Sequence, residues 1–315
     1  MNSLLILNPA SGRRDLRKAE EVLRRLEQVG EARLAQTEGR GHARRLATEA
    51  LAAGASLVVG CGGDGTLQEI ASALAGSGAA MGIVPVGRCN DFARALGFTL
   101  KETPSQLADI LISGPTRRVD VGVVEPSAAA SVPAVAVPHP AFSTDRPAFC
   151  TVATLGFDSS VNRYVEQHRL ALKGTAAYLY AIARVLMNLK CPRVRLRGDF
   201  GLFEGEILLA ATANSPFYGG AMHIAPGARL DDGLFHVCIV RAVHRCTVLR
   251  MLPKVMRGAH LSHPAVQLAK TSYLDIQTPD GPEWVCADGE SLAQTPLVLR
   301  NIARVLQVRA PESGV

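Results

Sequence analysis

Residues 56–74 read SLVVGCGGDGTLQEIASAL, and no other stretch narrows the fold so far. The Val-rich apolar run ending at Gly60 has the pattern of a buried strand. The turn Gly62-Gly63-Asp64-Gly65-Thr66 follows, and then Leu67, Ile70, Ala71 and Leu74 recur at helical spacing. Thr66 and Glu69 stand at capping-box positions, so the helix is predicted to begin at Thr66. Strand, glycine turn and helix bring backbone N–H groups and a helix N-terminus to one point, where phosphate is favoured. The same glycines also fit a tight βα turn with no ligand. The acid inside the turn adds information, because Asp64 would repel a bare phosphate and suits a place beside Mg²⁺ or a transferring hydroxyl. Gly60, Gly62 and Gly65 match dinucleotide spacing, but the acid wanted about 20 residues on is replaced by Pro85-Val86-Gly87.

The flanking sequence repeats this unit. Residues 3–7, 31–36, 81–86 and 117–124 read as further strands, with helical patterns between them, such as Leu16, Ala19, Leu23 and Leu26. This βαβ alternation predicts a parallel sheet covered on both faces. Ligands of such sheets sit beyond the carboxyl ends of the strands. The turns at Asn8, Thr37, Gly62 and Gly87 should therefore converge. Residues 126–147 are rich in Ala, Pro and Ser and read as a flexible insertion. Beyond them strands dominate, at 148–154, 193–196, 206–213, 234–240, 273–278, 297–299 and 304–309, with helices at 175–188 and 246–257. The expected division is an α/β domain over 1–122 and a separate antiparallel β domain over 123–315.

Composition excludes several classes. A net charge of +6 comes from cations interleaved with acids, and only 5% of residues are aromatic, so no nucleic-acid surface is expected. The seven cysteines are scattered and never form C-x-x-C, which points away from disulfides and zinc and toward a reducing, cytoplasmic setting. His260 and His263, followed by Pro264, read as a surface turn. No apolar run approaches the ~18 residues of a membrane span, and no signal peptide is evident.

Taken together, the motifs resemble a known family. They are Asn8-Pro9 with Ser11-Gly12, GGDGT at 62–66, and Pro85-x-Gly87-x-x-Asn90-Asp91-Phe92-Ala93. Gly156-Phe157-Asp158, Leu172-Lys173-Gly174, Ala225-Pro226 with Asp232-Gly233-Leu234, and Asp288-Gly289-Glu290 follow in order. The chain resembles the diacylglycerol kinase catalytic-domain family, specifically its soluble bacterial lipid kinases, related to sphingosine and ceramide kinases. The resemblance implies a nucleotide-binding α/β domain, a C-terminal β-sandwich, and an active site in the cleft between them. It implies ATP held by Asn8, Thr37, Gly62, Gly63, Asp64, Gly65, Thr66, Gly87, Arg88, Asn90 and Asp91. Asp288 resembles the general base for a lipid hydroxyl, with Glu290 two residues on and pointing the same way if the segment is extended. On its own, Asp288-Gly289 reads as a hairpin turn. A structural Mg²⁺ is implied on Asp232 and the carbonyls of Arg229 and Leu234, linked through water to Asp64, Asp91 and Asp120. The chain departs from the pattern at Arg88, where Thr is usual, and at Gln68, where Asn is common.

The resemblance implies a membrane lipid as substrate, peripheral membrane contact, and a homodimer by analogy. The helix at 175–188, with Lys190, Arg193, Arg195 and Arg197 after it, can face anionic lipid or serve domain packing. Two other readings stay open: an NAD kinase-like small-molecule kinase, which shares GGDGT, and a non-catalytic lipid- or nucleotide-binding homologue.

Overall fold

A computed structural model describes residues 1–9, 13–127, 146–168, 175–220 and 222–312. Ser11-Gly12, Leu172-Lys173-Gly174 and residues 128–145 of the expected insertion lie outside the described residues. The first half is the expected parallel sheet, in the order β2 (Glu31–Gln36), β1 (Asn2–Leu7), β3 (Leu57–Gly62), β4 (Ala80–Pro85). Every residue of β3 and β4 is buried, which explains their unbroken apolar runs. Helices α1 (Arg13–Glu27), α2 (His42–Ala52), α3 (Asp64–Leu74), α4 (Asp91–Ala95) and α5 (Pro104–Ser113) connect and cover the strands. Leu26, Ala47, Leu67, Ile70 and Leu107 pack into one core with Leu5, Val58 and Ile83. Each such Leu or Ile contributes roughly 1.5–3 kcal/mol on burial.

The second half is an antiparallel sandwich. One layer contains β8 (Arg193–Gly198), β12 (Tyr273–Gln277), β15 (Leu297–Arg309), β5 (Thr116–Pro126) and β6 (Ala148–Phe149). The other contains β7 (Val152–Gly156), β10 (Phe235–Arg241), β11 (Val266–Thr271), β13 (Trp284–Ala287) and β14 (Glu290–Gln294). Strand β9 (Gly201–Ala213) serves both layers, pairing β8 with its first half and β7 and β10 with its second. Leu155, Val237, Ile239 and Val285 pack against Val194, Leu196, Leu274 and Leu299 between the layers. The outer face of the β7–β9–β10 layer, through Val152, Ala211, Cys238 and Val240, packs against α6 (Phe157–Gln167), α7 (Thr175–Met187) and α8 (Arg245–Val255).

Several expectations are corrected. Helix α3 starts at Asp64 rather than Thr66, and its N-cap Gly63 makes no side-chain cap. Segments 297–299 and 304–309 are one strand, interrupted by a register shift between Ile302 and Leu306 where Arg304 has φ 52°. The C-terminal part of that strand lies parallel to β4, with Gln307 opposite Ala80 and Val308 opposite Met81. Strands β11, β13 and β14 and helix α6 lacked a readable period. His260 is buried rather than on a surface turn, with Nε2 3.2 Å from the Ile224 carbonyl oxygen. Among the described residues no helix is long and apolar enough to cross a membrane.

Candidate functional site

The carboxyl ends of β1, β2 and β3 open onto a cavity of about 440 Å³. Asn8, Thr37, Gly63, Gly65 and Thr66 line it, together with Arg40, Glu69 and, from the sandwich, Glu290. Thr66 reaches it because Asn8 Nδ2 donates to Thr66 Oγ1 at 3.3 Å, tying the first loop to the third. Glu69 does not box Thr66. Its carboxylate instead caps α2, accepting from Gly41 N at 2.7 Å and Ala43 N at 2.9 Å. Helix α2 follows Gly41 (φ 79°) and has no polar N-cap side chain of its own, so a distant glutamate supplies the missing acceptors.

The loop after β4 is shaped by contact with the glycine turn. A Cβ on Gly63 would lie 3.3 Å from Gly87 Cα, and one on Gly87 would collide with the Gly63 backbone. Asn90, at φ 53°, closes the loop by accepting from Gly87 N at 2.9 Å and donating to Gly87 O at 2.7 Å. Asparagine tolerates this left-handed conformation better than most side chains. Arg88 is exposed and does not line the cavity. Gln68 is buried and donates to the Ala148 carbonyl, so it braces α3 against β6.

Each expected acid has a definite setting. Asp64 accepts from Phe92 N at 3.1 Å, in the first turn of α4. Burial pushes its carboxyl above the usual range, the Phe92 N–H pulls it partly back, and Asp91 adds repulsion. Asp91 accepts from Gly220 N at 3.1 Å, joining the β4 loop to a loop of the sandwich domain. Asp120 is fully buried and accepts from Gly233 N and Arg304 N, both at 2.7 Å. Burial raises its pKa, and Asp232 and Asp231 add repulsion. Of the expected site residues, Gly62, Asp64, Gly87, Asn90, Asp91, Asp120 and Asp288 do not line the cavity.

In the loop before β10, Asp232 Oδ1 accepts from Leu234 N at 3.1 Å. Its Oδ2 lies 3.6 Å from His236 Nε2, a buried nitrogen without a hydrogen-bond partner. Asp231 and Asp232 thus lie close enough to Asp120 for their charges to repel it, with Asp231 paired to Arg229 at 3.2 Å, and among the described residues no group of three or more His, Cys, Asp or Glu is placed to hold a metal ion.

Asp288 sits in the two-residue turn between β13 and β14, with φ 50°, followed by Gly289 at φ 86°. The hairpin reading and the site reading therefore describe the same residues. The expectation of an extended segment is corrected, since two left-handed residues separate the strands. Asp288 accepts from Cys150 N at 2.9 Å, Thr151 N at 3.0 Å and the Thr151 hydroxyl. Burial pushes its pKa up to about 7; these hydrogen bonds oppose the rise and repulsion from Asp64 adds to it. Glu290 Oε2 pairs with Arg40 Nη2 at 2.9 Å, and a Cβ on Gly65 would lie 3.1 Å from Glu290 Oε1. Burial raises the Glu290 pKa and Arg40 lowers it.

Sequence reasoning missed Arg40, Glu69 as a distant cap, Thr151 and His236. Arg40, Glu69 and Thr151 act across long separations that no local period reveals, and His236 stands four residues from Asp232 on a strand whose burial on both sides hides the pairing. In the Gly156-Phe157-Asp158 motif, Asp158 opens α6 and accepts from Thr154 Oγ1 at 2.9 Å and from the Tyr218 hydroxyl. Its burial raises its pKa.

Known proteins match both halves. The diacylglycerol kinase catalytic domain matches residues 2–124, and the YegS C-terminal NAD kinase beta sandwich-like domain matches residues 151–310. A diacylglycerol kinase of Mycobacterium tuberculosis (strain ATCC 25618 / H37Rv) is 30% identical over 98% of this chain and 95% of its own length. One from Bacillus subtilis (strain 168) is 28% identical over 98% and 96%. The crystal structure of a diacylglycerol kinase from Bacillus anthracis str. Sterne shares the fold at a TM-score of 0.70 and 18% identity, covering 100% of this chain and 98% of that one. With a parallel-sheet domain and a sandwich matched in order over nearly its whole length, the chain belongs to the diacylglycerol kinase family of lipid kinases.

Proposed function

We propose that the protein transfers the γ-phosphate of ATP to the hydroxyl of a membrane lipid, with Mg²⁺ required. The observation that carries this reading is the cavity at the strand ends, walled by Asn8, Thr37, Gly63, Gly65 and Thr66 and completed from the sandwich by Glu290. Backbone N–H groups and a helix N-terminus there suit polyphosphate. Catalysis of this kind is positioning and charge stabilisation.

Asp288 is the general base. The lipid oxygen forms a bond to the γ-phosphorus as the bond to the β–γ bridging oxygen breaks, ADP departs, and the hydroxyl proton passes to the Asp288 carboxylate. Two N–H groups and a hydroxyl hold that carboxylate in place. Glu290 orients Arg40 toward the cavity. Asp232 and the carbonyls of Arg229 and Leu234 would hold Mg²⁺, and Asp64, Asp91 and Asp120 would be the acids linking it through water to the nucleotide. When bound, the ion offsets the carboxylate charge and that of the phosphates. The ATP-binding and lipid-binding halves divide near residue 122, with β5 and β15 shared between them.

The test is transfer of labelled γ-phosphate from ATP into mixed lipid vesicles, beside Asp288→Asn and beside NAD as acceptor. Label in a lipid, lost in the variant, supports the reading. Label in NAD, or in no acceptor, overturns it.

A further inference from the structure

Helix α7 is apolar on both sides. Ala177, Ala181 and Leu186 are buried against the sandwich. Ala176, Leu179, Tyr180, Ala183 and Met187 lie exposed, spaced i, i+3, i+4, i+7 and i+11 along the opposite side. Leu179 is 61% exposed and Met187 52%. A surface helix ordinarily presents a polar outer face. Helix α8 continues the surface: Arg245 Nη1 donates to the Met187 carbonyl at 3.2 Å, and Leu249 and Met256 are 55% and 50% exposed.

The charge carried by the two helices and the sequence flanking them has one sign. Residues 167–198 and 233–274 contain no Asp or Glu. Arg184, Lys190, Arg245, Arg250, Lys254 and Arg257 are all exposed, and among the described residues none pairs with a carboxylate. Elsewhere cations and acids are interleaved, as along α1. An apolar stripe whose own helices carry only cations, with Glu166 of α6 and Glu206 of β9 at its margins, matches a surface that is apolar within and anionic at its rim. A second copy fits poorly, because a two-fold contact would set these cations against their equivalents. Tyr178 on α7 stands close enough to feel Asp158, Cys286, Glu166 and, on the β4 loop, Cys89, so the face lies near the β4 loop and the β13–β14 hairpin.

We propose that α7 and α8 form the face by which the protein docks on an anionic phospholipid bilayer, with the apolar stripe in the interface and the six cations among the headgroups. The biological purpose rests on the lipid-kinase reading, while the binding itself can be measured without it. The test is co-sedimentation of the full chain with phosphatidylglycerol/phosphatidylcholine vesicles and with phosphatidylcholine alone, without ATP. Wild type should prefer the anionic vesicles. Leu179→Glu should lower partitioning at least tenfold, and Arg250→Gln about fivefold, with the loss growing smaller as salt rises. Both substitutions are at exposed positions, and unchanged circular dichroism and melting would show that they fold.

Equal binding to both vesicle types, binding unaffected by Leu179→Glu, or no binding would each overturn the proposal. Dimerisation without vesicle binding, abolished by Leu179→Glu, would assign the face to a second copy instead. Vesicle binding with no phosphate transfer would leave the docking face standing and remove the kinase reading alone.

Discussion

Glu290 of β14 and Arg40 of the loop after β2 form a 2.9 Å ion pair, with Glu290 also resting against Gly65. The contact spans the two halves of the chain at the cavity and is partly exposed, so its contribution to stability is about 0–1 kcal/mol. Glu290→Gln should leave the melting temperature within a few degrees and reduce kcat by tenfold or more. Steady-state kinetics beside a thermal melt checks this. A fall in stability with unchanged kcat would assign the pair to domain packing.

The Asp288 carboxyl, pushed up to about 7, gives a signed pH dependence. Its folded pKa lies above the ordinary carboxylate value, so it favours the folded state at low pH and loses that contribution as pH rises from about 4 to about 7. The slope reaches about 1.4 kcal/mol per pH unit. Activity runs the other way, rising through pH 7 as the base ionises. Asp288→Asn should remove both dependences and slow transfer about 10²- to 10⁴-fold. Denaturant melts and rate measurements from pH 5 to 8 give the comparison.

Gly87→Ala should separate the two nucleotide loops, because the new methyl meets the Gly63 backbone. Overpacking of this kind costs about 1–3 kcal/mol. ATP affinity should fall at least tenfold, read by calorimetry, whereas Gly78→Ala, away from the cavity and with open space where its Cβ would lie, should bind as wild type.

Glu69→Ala removes the carboxylate that caps α2 from 25 to 28 residues away. The expected loss is about 0.5–2 kcal/mol, the usual range for a cap. Hydrogen exchange should rise first at Gly41 and Ala43. Thr66→Ala should leave those amides unchanged, since no box joins the two residues.

Tyr218→Phe leaves the buried Asp158 with one donor fewer and should cost about 1–3 kcal/mol. The loss should shrink at low pH, where a protonated Asp158 no longer needs the donor. Melts at pH 5 and pH 8 measure the difference.

The parallel sheet was legible because β3 and β4 are buried on both faces and their apolar runs are continuous. The acids could be named from motifs, yet their partners could not. Glu69 stood three residues from Thr66, which mimicked a local cap, while its real acceptor role lies with α2. Asp288-Gly289 looked like a turn and is one; what sequence withheld is that Thr151, 137 residues earlier, holds the carboxylate. Helix α6 escaped because its buried positions include Ser159 and Asn162, polar residues that break an apolar period.

Strand β15 carries a consequence for the order of assembly. Residues 307 and 308 complete the edge of the first parallel sheet beside β4. On a ribosome, the nucleotide half therefore emerges before residues 304–309 and keeps that strand edge unpaired until they are made. An uncovered edge invites association with other chains. Truncations that remove residues 304–309 should therefore aggregate through the amino-terminal half.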